Sequence, residues 1–197
     1  MIVLDKKNKQ VLTPHCSFCP ETFFSPAEDH LPRVGCCSYS PLFGLFELSK
    51  MAQHNETFLR TSILNHENAQ ILPYQIKVHA NVDPSFYKQQ SFSLTKLERD
   101  DLKLRYSVCV FLKQGEGCSL PPFYKNIVCR SFICPTVESM LSETEQHHLQ
   151  IMVRTITQVA SQFHIKHEKK LIQKGIDLLS NPNAVISYLK EIKHIPS

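Results

Sequence analysis

Eight cysteines constrain this chain of 197 residues more than any other feature, because they form two groups of four around a cysteine-free middle. The first group shares residues 14–45 with five prolines. Proline fixes φ and lacks a backbone N–H, so this density excludes a long helix or a central strand. A segment without regular backbone hydrogen bonding must be held by other means, and bound metal is the simplest. The two groups are Cys16, Cys19, Cys36 and Cys37, and Cys109, Cys118, Cys129 and Cys134.

The spacing within the first group favours metal ligation. Cys16 and Cys19 are separated by two residues, which allows one turn to present two thiolates to one ion. The adjacent residues Cys36 and Cys37 differ, because neighbouring side chains diverge in most backbone conformations and so serve different ions or two atoms of one cluster. Thiolates select zinc, iron or iron–sulfur clusters over magnesium and calcium. The pattern predicts one or two metal centres and leaves open how the eight cysteines are divided between them.

Three other uses of cysteine compete with metal binding. We expect no secretory signal at the N-terminus, and disulfides are rare in the reducing cytosol. Cysteines that fill a core as small apolar residues would explain Cys109 but not the clusters in proline-rich segments. Thioredoxin-like chemistry requires a helix directly after its Cys-x2-Cys motif, and this chain has Pro20 there. We therefore predict that all eight cysteines ligate metal.

Several short segments share a resemblance to one family. The order is a Cys-x2-Cys motif, a Cys-Cys pair, and later Cys-x-Phe-Leu, Gly-Cys-Ser and Cys-Arg-x-Phe. These motifs stand at Cys16/Cys19, Cys36–Cys37, Cys109–Leu112, Gly117–Ser119 and Cys129–Phe132. In this order the sequence resembles the YkgJ family, which is described as a zinc- or iron-chelating domain. The resemblance covers residues 16–134 and implies that the cysteines bind zinc or iron, with an iron–sulfur cluster as one form.

The chain departs from the family pattern at four places. Two are single residues: the aromatic after Cys-Ser is lost to Pro121, and the proline after Cys-Arg-x-Phe is Ile133. Sixteen residues separate Cys19 from Cys36, where the family has a few. The family's Arg-Pro pair before the Cys-Arg motif is replaced by Lys125 and Asn126. All cysteine positions of the pattern remain.

The same cysteine arrangement is similar to that of the flagellin lysine methylases, which are thought to use an iron–sulfur cluster with S-adenosylmethionine. An iron–sulfur-dependent methylase-like enzyme is therefore the alternative function. None of the five glycines forms a Gly-x-Gly-x-Gly loop of the kind that binds a nucleoside or phosphate. The enzyme interpretation rests on analogy alone, and the sequence leaves open whether there is catalysis.

Four residues outside the cysteine set have features of interest. His15 and Arg130 each adjoin a cysteine. His15 is able to complete a site, although a surface histidine is the more common case, and Arg130 is able to offset thiolate charge. His164 and His167 lie one helical turn apart, but the basic segment around them favours a solvent-exposed helix face over a second metal site.

Composition and charge restrict the location and partners. Hydrophobic residues make up 42% of the chain and charged residues 20%, which is typical of a globular protein. Without a signal peptide or an apolar stretch of about 20 residues, we expect a cytoplasmic protein with no membrane partner. The net charge of +4 is mildly basic. The densest basic stretch, residues 166–174, has helical spacing, which disfavours a nucleic-acid surface. Metal ions are the predicted partners, and no protein partner is indicated.

Apolar periodicity predicts the secondary structure. Residues 1–13 are expected to form a short hairpin, residues 74–80 a half-buried strand and residues 58–64 a further strand. Helices are expected over 46–54 and 93–104. The C-terminal third is expected to contain three helices: a first that starts at a capping box on Ser142, a second containing Ile165 to Leu179, and a third that opens at Asn181 and Pro182.

The sequence therefore predicts an α+β fold. A cysteine-rich irregular region with a few short strands forms residues 1–135, the metal-binding domain, and a helical extension over residues 136–197 packs against it.

Overall fold

The computed structural model describes residues 3–5, 10–12, 25–89, 94–114 and 116–196. Within them the chain has the expected α+β architecture, with small antiparallel sheets and a helical C-terminal third. The strands are β1 Val3–Asp5, β2 Gln10–Leu12, β3 Leu42–Gly44, β4 Ala69–Leu72, β5 Gln75–Val78, β6 Asn81–Val82, β7 Ser107–Val108, β8 Leu112–Lys113 and β9 Gly117–Cys118. The helices are α1 Leu45–His54, α2 Glu56–Phe58, α3 Lys96–Leu104, α4 Ile127–Ser131, α5 Pro135–Glu138, α6 Glu143–Lys174 and α7 Pro182–Lys190.

The sheets join both neighbouring segments and segments that are far apart in sequence, since β3 pairs with β5 and β6 pairs with β7. β1 pairs with β2, which confirms the predicted hairpin strands, while the turn residues between them lie outside the described residues. β5 is the central strand of a sheet with β3 and β4, and Ile76 and Val78 on it are buried, as the alternating pattern predicts. β6 pairs with β7 across more than twenty residues, and β8 pairs with β9 in a hairpin.

The strand predicted over residues 58–64 is wrong. The chain forms a helical turn α2 followed by a π-helical segment, Leu59–Leu64. Leu59 and Ile63 are buried and four residues apart, which is a helical period, and Asn55 caps the start by accepting the N–H of Phe58 at 3.0 Å. The β-branched residues in this stretch favour a strand locally, but packing of the helical face determines the outcome.

The predicted helices α1, α3 and α7 are confirmed. The first two of the three helices predicted for the C-terminal third form a single helix, α6. α6 runs for 32 residues from its capping box at Ser142 to Gly175, because no glycine or proline interrupts it. Gly175 ends it in the left-handed conformation, with φ at 65°. Lys166, Lys169, Lys170 and Lys174 are exposed along it, as expected for a solvated face.

The core lies between α1, the β3–β5–β4 sheet and the C-terminal helices. Phe43, Leu48 and Ile76 from the first part pack in one cluster with Leu171 and Leu189 from the last part, and all five are essentially inaccessible to solvent. Both of the predicted units, residues 1–135 and 136–197, therefore contribute to this core. Among the described residues, no helix combines the length and apolar character needed to span a membrane.

Two histidines on α6 fix this helix to its neighbours, so their predicted place on a solvated face is wrong. His164 Nδ1 accepts the N–H of Leu45 at the start of α1, at 3.2 Å. His167 is only 5% exposed, stacks near Phe163, and its Nδ1 lies 2.7 Å from the Tyr188 hydroxyl on α7. Burial lowers the pKa of both imidazoles, and the pKa of His167 falls to about 4, with Lys170 and Lys166 adding to the shift.

Acid is therefore expected to destabilise the protein through these histidines. His167 takes up a proton near pH 6.5 in the unfolded chain and only near pH 4 in the folded chain. Its contribution to the free energy of unfolding is therefore complete above pH 6.5 and is lost as the pH falls toward 4. We expect a loss of about 2 kcal/mol from this residue. Urea unfolding at pH 7, 5.5 and 4.5 should show a shallower pH dependence for His167→Phe than for the wild type. His148→Phe, which replaces an exposed histidine of the same helix, is the control. An equal dependence of the free energy of unfolding on pH in all three proteins would contradict the prediction.

Candidate metal centre

Six of the eight predicted ligands lie in the described residues, and all six are free thiols. Cys16 and Cys19, with the neighbouring His15, lie outside them. The six are Cys36, Cys37, Cys109, Cys118, Cys129 and Cys134. No disulfide joins any of the six, so within this part of the chain the thiols are available as ligands.

A backbone hydrogen bond brings the two cysteine groups together. Cys36 and Cys37 lie in a 3₁₀ turn, Gly35–Ser38. The turn begins at Gly35, whose positive φ of 58° is a conformation that favours glycine. The N–H of Cys109 donates to the carbonyl of Cys37 at 2.6 Å. Cysteines separated by 71 residues of sequence are thereby adjacent in the structure.

The β8–β9 hairpin adds the next thiol. Leu112 pairs with Cys118 across the hairpin, and the N–H of Leu112 also donates to the carbonyl of Cys109 at 3.0 Å. Ser119 closes the far side, where its N–H and hydroxyl both donate to the carbonyl of Phe111, at 2.7 and 2.9 Å. The Cys-x-Phe-Leu and Gly-Cys-Ser motifs are thus the two sides of one turn.

Helix α4 contributes the fourth thiol. Asn126 is buried and is the N-cap of α4, and its Oδ1 accepts the N–H of Cys129 at 2.8 Å. This bond fixes Cys129 in the first turn of the helix.

Cys37, Cys109, Cys118 and Cys129 form a group that we call the cysteine quartet. In each of the six pairs that these cysteines form, the charge of one thiolate raises the pKa of the other. Desolvation raises the pKa of the buried Cys109 to about 11 and that of Cys129 to about 12, with neighbouring quartet charges adding to both. Desolvation also raises the pKa of Cys118, although Cys118 and Cys129 are exposed residues. The quartet therefore collects thiols from four separate segments in one electrostatic environment.

Cys37 differs from the other members of the quartet. A hydrogen bond from the Cys36 side chain lowers the pKa of Cys37 to about 7, against the opposing effect of burial. Cys36 thus contacts the quartet through Cys37. Cys134 is the N-cap residue of α5, outside the four segments that carry the quartet. The hydroxyl of Ser38, next to Cys37, is buried and has no hydrogen-bond partner among the described residues.

The cation beside the quartet is Lys125, a residue that the sequence analysis did not select. The positive charge of Lys125 contributes to the low pKa of Cys37 and partly opposes the rise in the pKa values of Cys118 and Cys129.

Arg130, which was expected to offset thiolate charge, pairs instead with Glu47. Both side chains are almost fully buried, with Nη2 of Arg130 3.7 Å from Oε1 of Glu47 and the guanidinium carbon 5.5 Å from the centre of the Phe46 ring. The Oε2 of Glu47 accepts the N–H of Gly44 at 3.1 Å. Successive residues of a helix point about 100° apart, so Arg130 is directed toward α1 while Cys129 belongs to the quartet.

The donor chemistry of the quartet suits a soft divalent ion, but the thiols do not converge as ligands of a bound ion do. In the described ranges, no three or more His, Cys, Asp or Glu side chains are arranged so that they hold a metal ion. The structure thus brings four thiols into one region and leaves them as separate free thiols.

No family model, curated protein or solved structure matches this chain.

Removal of the buried arginine should be costly, because it leaves Glu47 without its strongest counter-charge. Arg130→Met is expected to lower the free energy of unfolding by about 3 kcal/mol. The double variant Glu47→Gln/Arg130→Met should lose less than the sum of the two single variants, since it leaves no uncompensated charge in the core. Chemical denaturation of the four proteins tests this coupling, and additive losses would contradict it.

Proposed function

We propose that the protein binds a divalent metal ion, zinc or iron, through the thiolates of the cysteine quartet. The observation that supports this most directly is the mutual electrostatic interaction of Cys37, Cys109, Cys118 and Cys129. Ionisation of Cys109, Cys118 and Cys129 is unfavourable in the metal-free protein, because desolvation and neighbouring quartet charges raise the pKa of each, and a cation would relieve this penalty. A bound metal ion supplies that relief.

The chemistry of the donor set favours zinc or iron. Thiolate sulfur is a soft ligand, and four thiolates satisfy the tetrahedral preference of zinc or of an iron–sulfur site. Binding requires the thiols to turn toward a common point, and rotation about the Cα–Cβ bond of each cysteine is the least costly movement available. A four-thiolate site has no open coordination position, so the proposal is a closed centre without a catalytic step.

The remaining four cysteines are proposed as ligands of a second centre or of the same cluster. The side chain of Cys36 is hydrogen-bonded to Cys37, a member of the quartet. The resemblance to the YkgJ family supports metal ligation by Cys16, Cys19 and Cys134 as well, since all eight positions keep the family order. If the bound group is an iron–sulfur cluster, the adjacent residues Cys36 and Cys37 would ligate different iron atoms of it.

Metal content of purified protein is the first test. Protein purified without oxygen and reconstituted with zinc or iron is expected to retain at least one ion per chain by elemental analysis. Zinc would leave the protein colourless, and a cluster would give visible sulfur-to-iron absorption. Cys129→Ser should lose the quartet ion. Cys134→Ser should retain it if the remaining cysteines form a second centre, and should lose it if they ligate the same cluster. Less than one equivalent in the reconstituted wild type would overturn the proposal.

The affinity for zinc should increase with pH. At neutral pH Cys109 and Cys129 are protonated in the metal-free protein, since their pKa values lie at about 11 and 12. Each must release a proton to ligate, which makes the apparent affinity rise by about tenfold per pH unit for each such thiol. Competition with a chelator at pH 6.5, 7.5 and 8.5 measures this slope, and an affinity independent of pH would exclude thiolate ligation.

A further inference from the structure

The backbone hydrogen bond between Cys109 and Cys37 sets the distance between these two residues. The N–H of Cys109 donates to the carbonyl of Cys37 at 2.6 Å. With standard bond lengths and angles, a hydrogen bond this short keeps the two Cα atoms within about 6 Å of each other. The Cα atoms of disulfide-bonded cysteines are usually about 4.4 to 6.8 Å apart. The backbone therefore already has the spacing that a disulfide between Cys37 and Cys109 requires.

Packing holds both residues in this arrangement. Cys109 belongs to the buried apolar cluster of the core and is 9% exposed, and Cys37 is half-buried and packs against the same cluster. Strand β7 ends directly before Cys109 and runs beside the 3₁₀ turn that carries Cys37. Both residues are free thiols in this structure. The fold thus keeps two reduced thiols on neighbouring pieces of backbone.

Cys36 is the obvious competitor for Cys37, because their side chains are hydrogen-bonded. The described peptide bonds are trans, and consecutive Cα atoms across a trans peptide are about 3.8 Å apart. This separation is below the usual range for a disulfide, so a bond between adjacent cysteines would distort the backbone. Cys109 meets the distance requirement without such a distortion.

We propose that Cys37 and Cys109 form a redox-modification site, at which a hydroperoxide converts the two thiols into a reversible disulfide. Hydrogen peroxide first oxidises the more accessible Cys37 thiol to a sulfenic acid and releases one water. The sulfur of Cys109 then attacks the sulfur of Cys37. The S–O bond breaks, and the hydroxyl leaves with the proton of Cys109 as a second water. The two sulfurs together lose two electrons, which the peroxide gains.

The disulfide would have a structural effect that can be measured. It would close a covalent loop that contains α1 and the β3–β5–β4 sheet, since 71 residues separate the two cysteines. A crosslink over a loop of this length restricts the unfolded chain and stabilises the folded one, provided that the native geometry accepts it. The oxidised protein should therefore unfold at a higher urea concentration than the reduced protein.

The test treats the full-length protein with an equimolar amount of hydrogen peroxide in the presence of a metal chelator. Alkylation of the remaining thiols, digestion and mass spectrometry then identify the crosslinked peptides. We expect loss of two of the eight thiols, a main crosslink between Cys37 and Cys109, and recovery of all eight thiols with dithiothreitol. This measurement on the wild type needs no variant that folds.

Three variants assign the roles of the two sulfurs. Cys109→Ala should accumulate a sulfenic acid at Cys37, which dimedone traps, and should show no increase in the urea midpoint on oxidation. Cys37→Ala should form no crosslink to Cys109. Cys134→Ala is the matched control, because Cys134 is a free thiol outside these segments. It should form the same crosslink and show the same increase in the urea midpoint as the wild type.

Other outcomes of the mapping would overturn the inference. These are a main crosslink between Cys36 and Cys37, a main crosslink from either residue to any other cysteine, and oxidation that dithiothreitol does not reverse. An oxidised protein with an unchanged or lower urea midpoint would contradict the stabilising geometry. The inference is independent of the proposed metal ion. A wild type that binds no zinc but forms the Cys37–Cys109 disulfide would overturn the proposed function alone.

Discussion

The burial of α1 is the constraint on which the rest of the structure depends. Eight of its ten residues are buried, including the polar residues Glu47, Ser49 and Lys50. Each of these three has found a partner: Glu47 pairs with Arg130, Ser49 donates to the carbonyl of Phe46 at 2.9 Å, and the ammonium of Lys50 lies over the rings of Phe46 and Phe123. A helix enclosed on so many sides must have neighbours in fixed positions.

Those neighbours include the segment that carries the last quartet cysteine. Arg130 reaches α1 from α4, so the Glu47 pair fixes the orientation of α4 and thereby the direction of Cys129. In the same first turn of α1, His164 accepts the N–H of Leu45, and near the C-terminal end of α1 Gln53 donates to the carbonyls of Leu189 and Ile192. One buried helix therefore links the cysteine-bearing segments to the C-terminal helices.

Local signals predicted the elements that depend on local chemistry. The capping box at Ser142, proline at position 182 and the alternating pattern around Ile76 each specify backbone geometry within a few residues. The helical segment Leu59–Leu64 and the buried His167 were missed, because tertiary packing decides them and neither has a local marker. His167 resembles any other residue of a basic helix until Tyr188 and Phe163 surround it. The position of Arg130 needed the same information, since only the packing of α4 on α1 shows which way it points.

The division of the cysteines was beyond sequence reasoning for a related reason. Which thiols meet depends on the contact between the turn at Cys37 and the segment at Cys109, and the intervening residues bring these together through β3, β5, β6 and β7. Because this scaffold has an apolar core of its own, packing gathers the thiols without a bound ion. The chain thus differs from small zinc-binding modules, in which the metal supplies the folding free energy. In this protein the core itself brings the four thiols together, and the proposed ion would bind to thiols that packing has already placed in one region.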